Sequence, residues 1–191
     1  MVQNPARRTA LTDAAIDVLA REGARGLTFR AVDAQAGVPA GTASNYFANR
    51  DELLHQTARH IHHRLTPEPA VIADLLRAPR DRDLVAALMQ DLLGRITVER
   101  AGYLALLELR LEATRRPDLR SELGETVREQ LEANIAYHVG EGLPGDRDTV
   151  VVLYLAMTGL IVEHLTLPEV LGADDLAALV GTLVERIVPS A

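Results

Sequence analysis

Apolar residues recur at three- and four-residue spacing along nearly the whole chain, and no alternating strand pattern interrupts them. Leu11, Ala15, Val18 and Leu19 fall on one face of a helix predicted over about 9–22, which Gly23 ends as a left-handed cap. Thr28 can cap a second helix over about 29–35, and Gly37 supplies the positive φ of the turn after it. A third helix is expected over about 40–46 and a fourth over about 50–64. Asn49 opens the fourth, with Asp51 and Glu52 in its first turn; Asn-x-x-Glu approximates a capping box, and both acids suit the helix dipole. Further periodic segments predict helices at about 81–97, 100–115, 118–140, 147–166 and 174–187, with Pro117, Pro144-Gly145 and Pro168 as breakers at their junctions.

Pro67, Pro69 and Pro79 punctuate the stretch 66–80, which reads as a seam between a small N-terminal part and a larger helical one. The pattern therefore predicts an all-α fold of about nine helices. Its expected divisions are a head over 1–49, a connecting helix over 50–65 and a C-terminal domain over 66–191.

Composition narrows the class. The 191 residues are 48% hydrophobic, enough for a sizeable core and too apolar for a disordered chain. With no cysteine, disulfides and thiolate metal sites are excluded. The N-terminus lacks the apolar stretch of a signal peptide. The longest apolar run, Val150 to Val162, has 13 residues against the roughly 20 that span a bilayer. A cytoplasmic protein with no membrane partner is expected.

The net charge of -7 argues against a nucleic-acid partner until it is divided. Residues 1–65 carry eight Arg against six acids, a net of +2, while 66–191 carry twelve Arg against twenty-one acids, a net of -9. An asymmetry of this kind is expected if only the first part meets phosphates. Every cation is Arg, which genome composition explains more simply than selection for bidentate phosphate contacts.

Two helices hinged at Ala36-Gly37-Val38 and followed by a third, capped helix have the layout of a helix-turn-helix. Ala40, Gly41, Thr42, Ala43, Ser44 and Asn45 offer little to a core, but a surface of small side chains and hydroxyls can approach DNA base edges closely. Leu27, Val32, Val38 and Phe47 are left as the core of this head.

Gly37-Val38-Pro39-Ala40-Gly41-Thr42, then Tyr46-Phe47, then Asn49-Arg50-Asp51-Glu52-Leu53, together resemble the DNA-binding head of the TetR-type (tetracycline-repressor-like) transcriptional regulators. The resemblance covers about 9–55; beyond it only length and helix count agree. It departs at Pro39, where a cap-forming Ser is usual, at Ser44, where an aromatic is usual, and at Asp33, where a small apolar residue is common. These changes bear on base preference rather than on the fold.

The resemblance implies a homodimer whose heads read half-sites in successive major grooves of a palindromic operator, acting as a repressor. It also implies release by a small-molecule effector that shifts the dimer toward a form in which the fourth helix has swung. Thr28 and its helix N-terminus could meet one phosphate, and Arg30 a phosphate or a guanine edge. Thr42, Ser44 and Asn45 can hydrogen-bond bases, Ala40 and Ala43 can touch thymine methyls, and Gly41 lets the backbone approach. Tyr46 and Arg50 match family positions that clamp the DNA backbone.

In the C-terminal part, the segment 147–166 is apolar nearly all round and must be covered on two sides. With 174–187 it could form an intersubunit four-helix bundle, closely approached at Gly159 and Gly181. An effector cavity could be lined by Tyr103, Leu107, Arg110, Leu111, Tyr137, His138, Met157, Ile161 and His164, although residues of these types at this spacing also make plain core. Arg110 would suit an anionic ligand, or would pair with Glu108 or Glu112. No metal or cofactor is expected: His60 and His63 could face one ion, but no third ligand is evident. No nucleophile elbow, phosphate-binding glycine loop or H-E-x-x-H pair suggests an enzyme.

Overall fold

The computed structural model describes residues 4–171 and 175–190, and every regular element in them is helical. The chain packs as two compact units. Unit 1 combines Met1–Thr66 with Glu99–Gly124, and unit 2 combines Pro67–Val98 with Glu125–Ala191.

Unit 1 contains α1 (Pro5–Gly26), α2 (Phe29–Gln35), a 3₁₀ turn (Ala43–Asn45), α3 (Arg50–Leu65), α6 (Arg100–Ala113) and the start of α7 (Pro117–Gly140). The first helix begins four residues before its expected start. Asn4 caps it through Ala6 N at 3.0 Å, and Pro5 occupies the first turn, where its missing N–H costs nothing. Gly23 breaks the regular helix as expected, at φ +69°. Glu108 from α6 accepts from Ala24 N at 3.3 Å just beyond that break. α1 packs on α2, α3 and α6, and α3 also packs on α6. Leu11, Ile16, Leu19, Leu27, Leu53, Leu54, Ile61 and Leu109 are fully buried between them. Each such side chain contributes about 1.5–3 kcal/mol relative to exposure.

Ion pairs add direction to this packing. Glu122 joins His55 and Arg59 of α3, the latter at 2.6 Å. Asp13 of α1 meets His60 at 2.8 Å and Arg64 at 3.2 Å, and Arg64 also reaches Glu99 at 2.5 Å. The α3 histidines 55 and 60 thus face carboxylates, while the His60 and His63 rings stack 6.4 Å apart.

Unit 2 contains α4 (Pro69–Leu75), α5 (Arg82–Val98), the rest of α7, α8 (Arg147–Thr166), a 3₁₀ turn (Pro168–Val170) and α9 (Leu176–Ile187). Position 174, the expected start of the last helix, lies outside the described residues. The proline seam at 66–80 is not wholly irregular, since α4 lies within it. Pro69 stands in the first turn of that helix, a place proline tolerates, so it starts a helix instead of breaking one. None of the α4 side chains is buried.

α5 packs on α8 and α9, and α8 on α9. Val150, Leu153, Met157, Ile161 and Leu165 form the buried stripe of α8, at the three- and four-residue spacing of one helix face. Asp146 opens α8 with a full capping box, accepting from Thr149 N at 3.0 Å while Thr149 accepts from Asp146 N. By length and composition α8 is apolar enough to cross a membrane, although the 13-residue run suggested otherwise. Core helices meet the same criterion, and the buried stripe of α8 is covered within unit 2.

Candidate nucleic-acid interface

In the head, Thr28 caps α2 by accepting from Ala31 N at 3.1 Å. Thr28 and Arg30 are exposed on that end of the helix. α2 ends at Ala36, and Gly37 turns the chain at φ +63°. A second positive φ, +89° at Gly41, follows four residues later. A Cβ at either glycine would meet no atom within 4 Å, so backbone conformation and not crowding selects glycine there.

The expected helix over 40–46 is reduced to the 3₁₀ turn Ala43–Asn45. Gly41 is left-handed, so a right-handed helix cannot pass through it and begins only afterwards. The turn is self-tied. Thr42 Oγ1 donates to Pro39 O at 2.5 Å, Ser44 Oγ to Gly41 O at 2.8 Å and Asn45 Nδ2 to Gly41 O at 3.1 Å. These bonds spend the hydroxyl hydrogens, so the Thr42 and Ser44 hydroxyls have only acceptor capacity left. Ala40, Gly41, Ser44 and Asn45 are exposed and Thr42 is half-buried. Ala43, expected beside Ala40 at a thymine methyl, instead points inward and is fully buried, so its methyl packs in the head and not against a base. One segment therefore presents four of these small groups outward together.

Behind this surface lies Asp33 on α2, 2% exposed. Its Oδ2 accepts from Gly41 N and its Oδ1 from Ala43 N, both at 2.7 Å. Val32, Leu27 and Phe47 are buried beneath as expected, and Val38 is half-buried. Tyr46 is half-buried, with the Arg8 guanidinium 5.8 Å from its ring centroid and 5.3 Å from that of Phe47. Arg50 turns toward the protein: Nε donates to Leu27 O at 3.1 Å and Nη2 to Ala24 O.

The residues expected around an effector divide between the units. Tyr103 is buried on α6 in unit 1, Leu107 is half-buried, and Arg110 and Leu111 are exposed. In unit 2, Met157 and Ile161 are 2% exposed in the α8 stripe and His164 is half-buried. His138 is buried and bonded through Nε2 to Pro144 O at 2.9 Å. A carbonyl only accepts, so that nitrogen carries the proton. Tyr137 is partly exposed on α7; desolvation, then the charge of Glu141, raises its pKa against the opposing pull of Arg80. Glu163, one residue before His164, keeps Oε2 fully buried without a hydrogen-bond partner. Among the described residues no group of three or more His, Asp or Glu could hold a metal ion.

Residues 11–57 match the family described as bacterial regulatory proteins, tetR family. Residues 80–190, more than half the chain, match the tetracyclin repressor-like C-terminal domain. The chain belongs to the TetR family. Its TetR-type relatives include the HTH-type transcriptional regulator BetI of Brucella anthropi, 25% identical over 170 residues, 89% of this chain and 84% of that protein. BetI of Agrobacterium fabrum is 33% identical over 85 residues, 44% of this chain but only 40% of its own length. Among solved structures, a TetR-family member from Streptomyces coelicolor A3 superposes with a TM-score of 0.69 at 27% identity, covering 97% of this chain and 99% of that one. The multidrug binding protein EbrR complexed with imidazole gives 0.67 at 28%, covering 98% of each chain. TetR proteins are transcriptional regulators and not enzymes, and DNA binding with small-molecule binding is the family's activity.

Within the TetR head, Asp33 stood out in the sequence only as a departure from the family pattern, with no role given to it. Its signal was the pairing of two departures from the TetR pattern, an acid at 33 and a proline without a hydroxyl at 39. Glu163 gave no signal, because nothing in its neighbourhood reveals which carboxylate oxygen is orphaned.

Proposed function

We propose that this TetR protein is a cytoplasmic, effector-released repressor that binds a near-palindromic operator as a homodimer. The observation that carries the reading is the exposed turn 40–45, whose small side chains and hydroxyl acceptors sit on a fixed support. Thr28, Arg30, Ala40, Gly41, Thr42, Ser44, Asn45 and Tyr46 form its contact surface. Arg50 contributes by holding α3 to the rest of the head. Function divides along the chain into 1–49 for DNA, 50–65 for coupling and 66–191 for effector and partner contacts. This is a division of labour and not of packing, since α6 belongs to unit 1.

The dimer is supported by the outer face of α8, where Val152 is 49% and Leu155 60% exposed beside exposed Gly159. Apolar side chains left in water on a helix already packed on its other side favour a second copy across α8 and α9. The effector site draws on Tyr137, His138, Met157, Ile161 and His164 of unit 2, while Tyr103, Leu107, Arg110 and Leu111, the other candidates, belong to unit 1. A buried carboxylate oxygen at Glu163 lacking a protein partner favours an effector that carries positive charge or a hydrogen-bond donor. EbrR, similar to this chain, has been crystallised with proflavin and with ethidium, which are planar aromatic cations.

A salt-titrated mobility-shift measurement with DNA from upstream of the gene tests the central claim. Selective binding to a near-palindrome, falling steeply with salt, is expected. Equal affinity for random DNA of the same length overturns it.

A further inference from the structure

We infer that Asp33 is the positioning residue of the recognition segment, doing for residues 38–43 what a capping side chain at position 39 would otherwise do. This rests on the proposal that the turn 40–45 reads DNA. Three bonds from one residue fix the segment. Asp33 O accepts from Val38 N at 3.0 Å, Oδ2 from Gly41 N and Oδ1 from Ala43 N, the last two both at 2.7 Å. Both side-chain bonds are charge-assisted and shielded, because Asp33 is 2% exposed and Ala43 fully buried.

The bonds that Thr42, Ser44 and Asn45 make to Pro39 and Gly41 lie within the segment and do not anchor it to α2. Pro39 has neither hydroxyl nor N–H, and Thr42, at the cap position of the 3₁₀ turn, makes no side-chain cap bond. Its hydroxyl is turned back to Pro39 O. A three-residue 3₁₀ turn entered through a left-handed glycine is not self-supporting. The placement of Thr42 and of the exposed Ser44 and Asn45 is thus set from α2, by a side chain that never meets DNA. A second consequence follows. Backbone N–H groups at the start of a recognition helix are ordinarily available to a phosphate, but those of Gly41 and Ala43 are consumed by Asp33.

The test uses the full-length protein with Asp33→Ala, Asp33→Asn and the double variant Asp33→Ala/Pro39→Ser. Amide exchange at Gly41 and Ala43 is followed beside the affinity ratio of operator to random DNA. In Asp33→Ala both amides should lose protection while the Leu11, Leu19 and Leu53 amides keep theirs, and the ratio should fall at least about tenfold. Asparagine offers one acceptor and turns an NH2 toward the other N–H, so Asp33→Asn should release one amide and lose part of the ratio. A hydroxyl at 39 can accept from the freed Gly41 N–H, two residues on, so the double variant should recover part of what Asp33→Ala loses while Ala43 stays unprotected. Should Asp33→Ala not fold, Asp33→Asn reads the same two amides. Unchanged protection at Gly41 and Ala43, or a ratio unaltered in a folded Asp33→Ala, overturns the inference. Wild-type protein that selects no sequence would sink the regulator reading instead, and the amide measurement would still report on Asp33.

Discussion

Arg50 and Leu27 are joined by a hydrogen bond from Nε to the backbone carbonyl at 3.1 Å, which ties the first turn of α3 to the link between α1 and α2. The same guanidinium donates to Ala24 O, which also accepts from Leu27 N at 3.3 Å, so Arg50 clasps two carbonyls at the end of α1. A bond from a charged donor to a carbonyl contributes about 1.5–3 kcal/mol. Arg50→Ala should therefore lower stability by about 2 kcal/mol in urea denaturation. Operator affinity should fall in the same variant through loss of head order. If Arg50 served only as a phosphate clamp, affinity would drop with the denaturation midpoint unmoved.

How far the sequence revealed this molecule depends on which forces are local. The helices were legible because periodicity and caps act within a few residues: Thr28, Asn49 and Gly23 do what their chemistry suggests. α4 was not, because Pro67 and Pro69 read equally as linker or helix start. The compression of 40–46 into a 3₁₀ turn was hidden, since glycine at 41 permits a left-handed φ without requiring it. The packing of Glu108 against the end of α1, and of Asp33 under residues 41–43, joins side chains to distant backbone that no periodicity reports. In the candidate site, the exposed small residues were visible as a pattern while their support was not.

Acid stability offers a second measurement. Asp146 has its pKa lowered first by the backbone N–H of Thr149 and then by the Thr149 hydroxyl. Glu132 is lowered first by its hydrogen bonds to Arg147, made at 2.6 and 2.7 Å. A carboxyl whose folded pKa lies below its unfolded value stabilises the fold above the unfolded value. That contribution is lost as pH falls through the folded pKa. Thermal midpoints should consequently decline below the ordinary carboxylate range. In Asp146→Ala and Glu132→Gln the decline should be shallower, with a lower midpoint at neutral pH. Parallel pH profiles for wild type and both variants would contradict these assignments.

Leu155 tests the dimer. It is 60% exposed, so Leu155→Arg should leave unit 2 folded while placing a charge on the face proposed for the second copy. Sedimentation equilibrium should show monomer where the wild type shows dimer. Loss of the second head removes the gain from linked binding, so affinity for a two-half-site operator should drop by about a hundredfold or more. A variant that stays dimeric would move the interface elsewhere.

Glu163 tests the effector class. Glu163→Gln keeps the shape of the side chain and removes its charge, so folding and effector-free operator binding should persist. A buried carboxylate that pairs with a cation contributes about 1.5–3 kcal/mol, which is roughly tenfold or more in affinity. With ethidium as the probe, fluorescence titration should show the dissociation constant rising by that factor in the variant. A neutral planar probe should bind both proteins alike, because it cannot exploit the charge. If ethidium binds wild type and variant equally, the orphaned oxygen of Glu163 has no part in effector recognition. The contrast between the two probes matters because Arg110, the cation first considered for ligand contact, is exposed. Unit 2 also keeps Arg82 Nε buried without a hydrogen-bond partner, so equal binding of ethidium to both proteins would turn attention from the Glu163 carboxylate to that guanidinium.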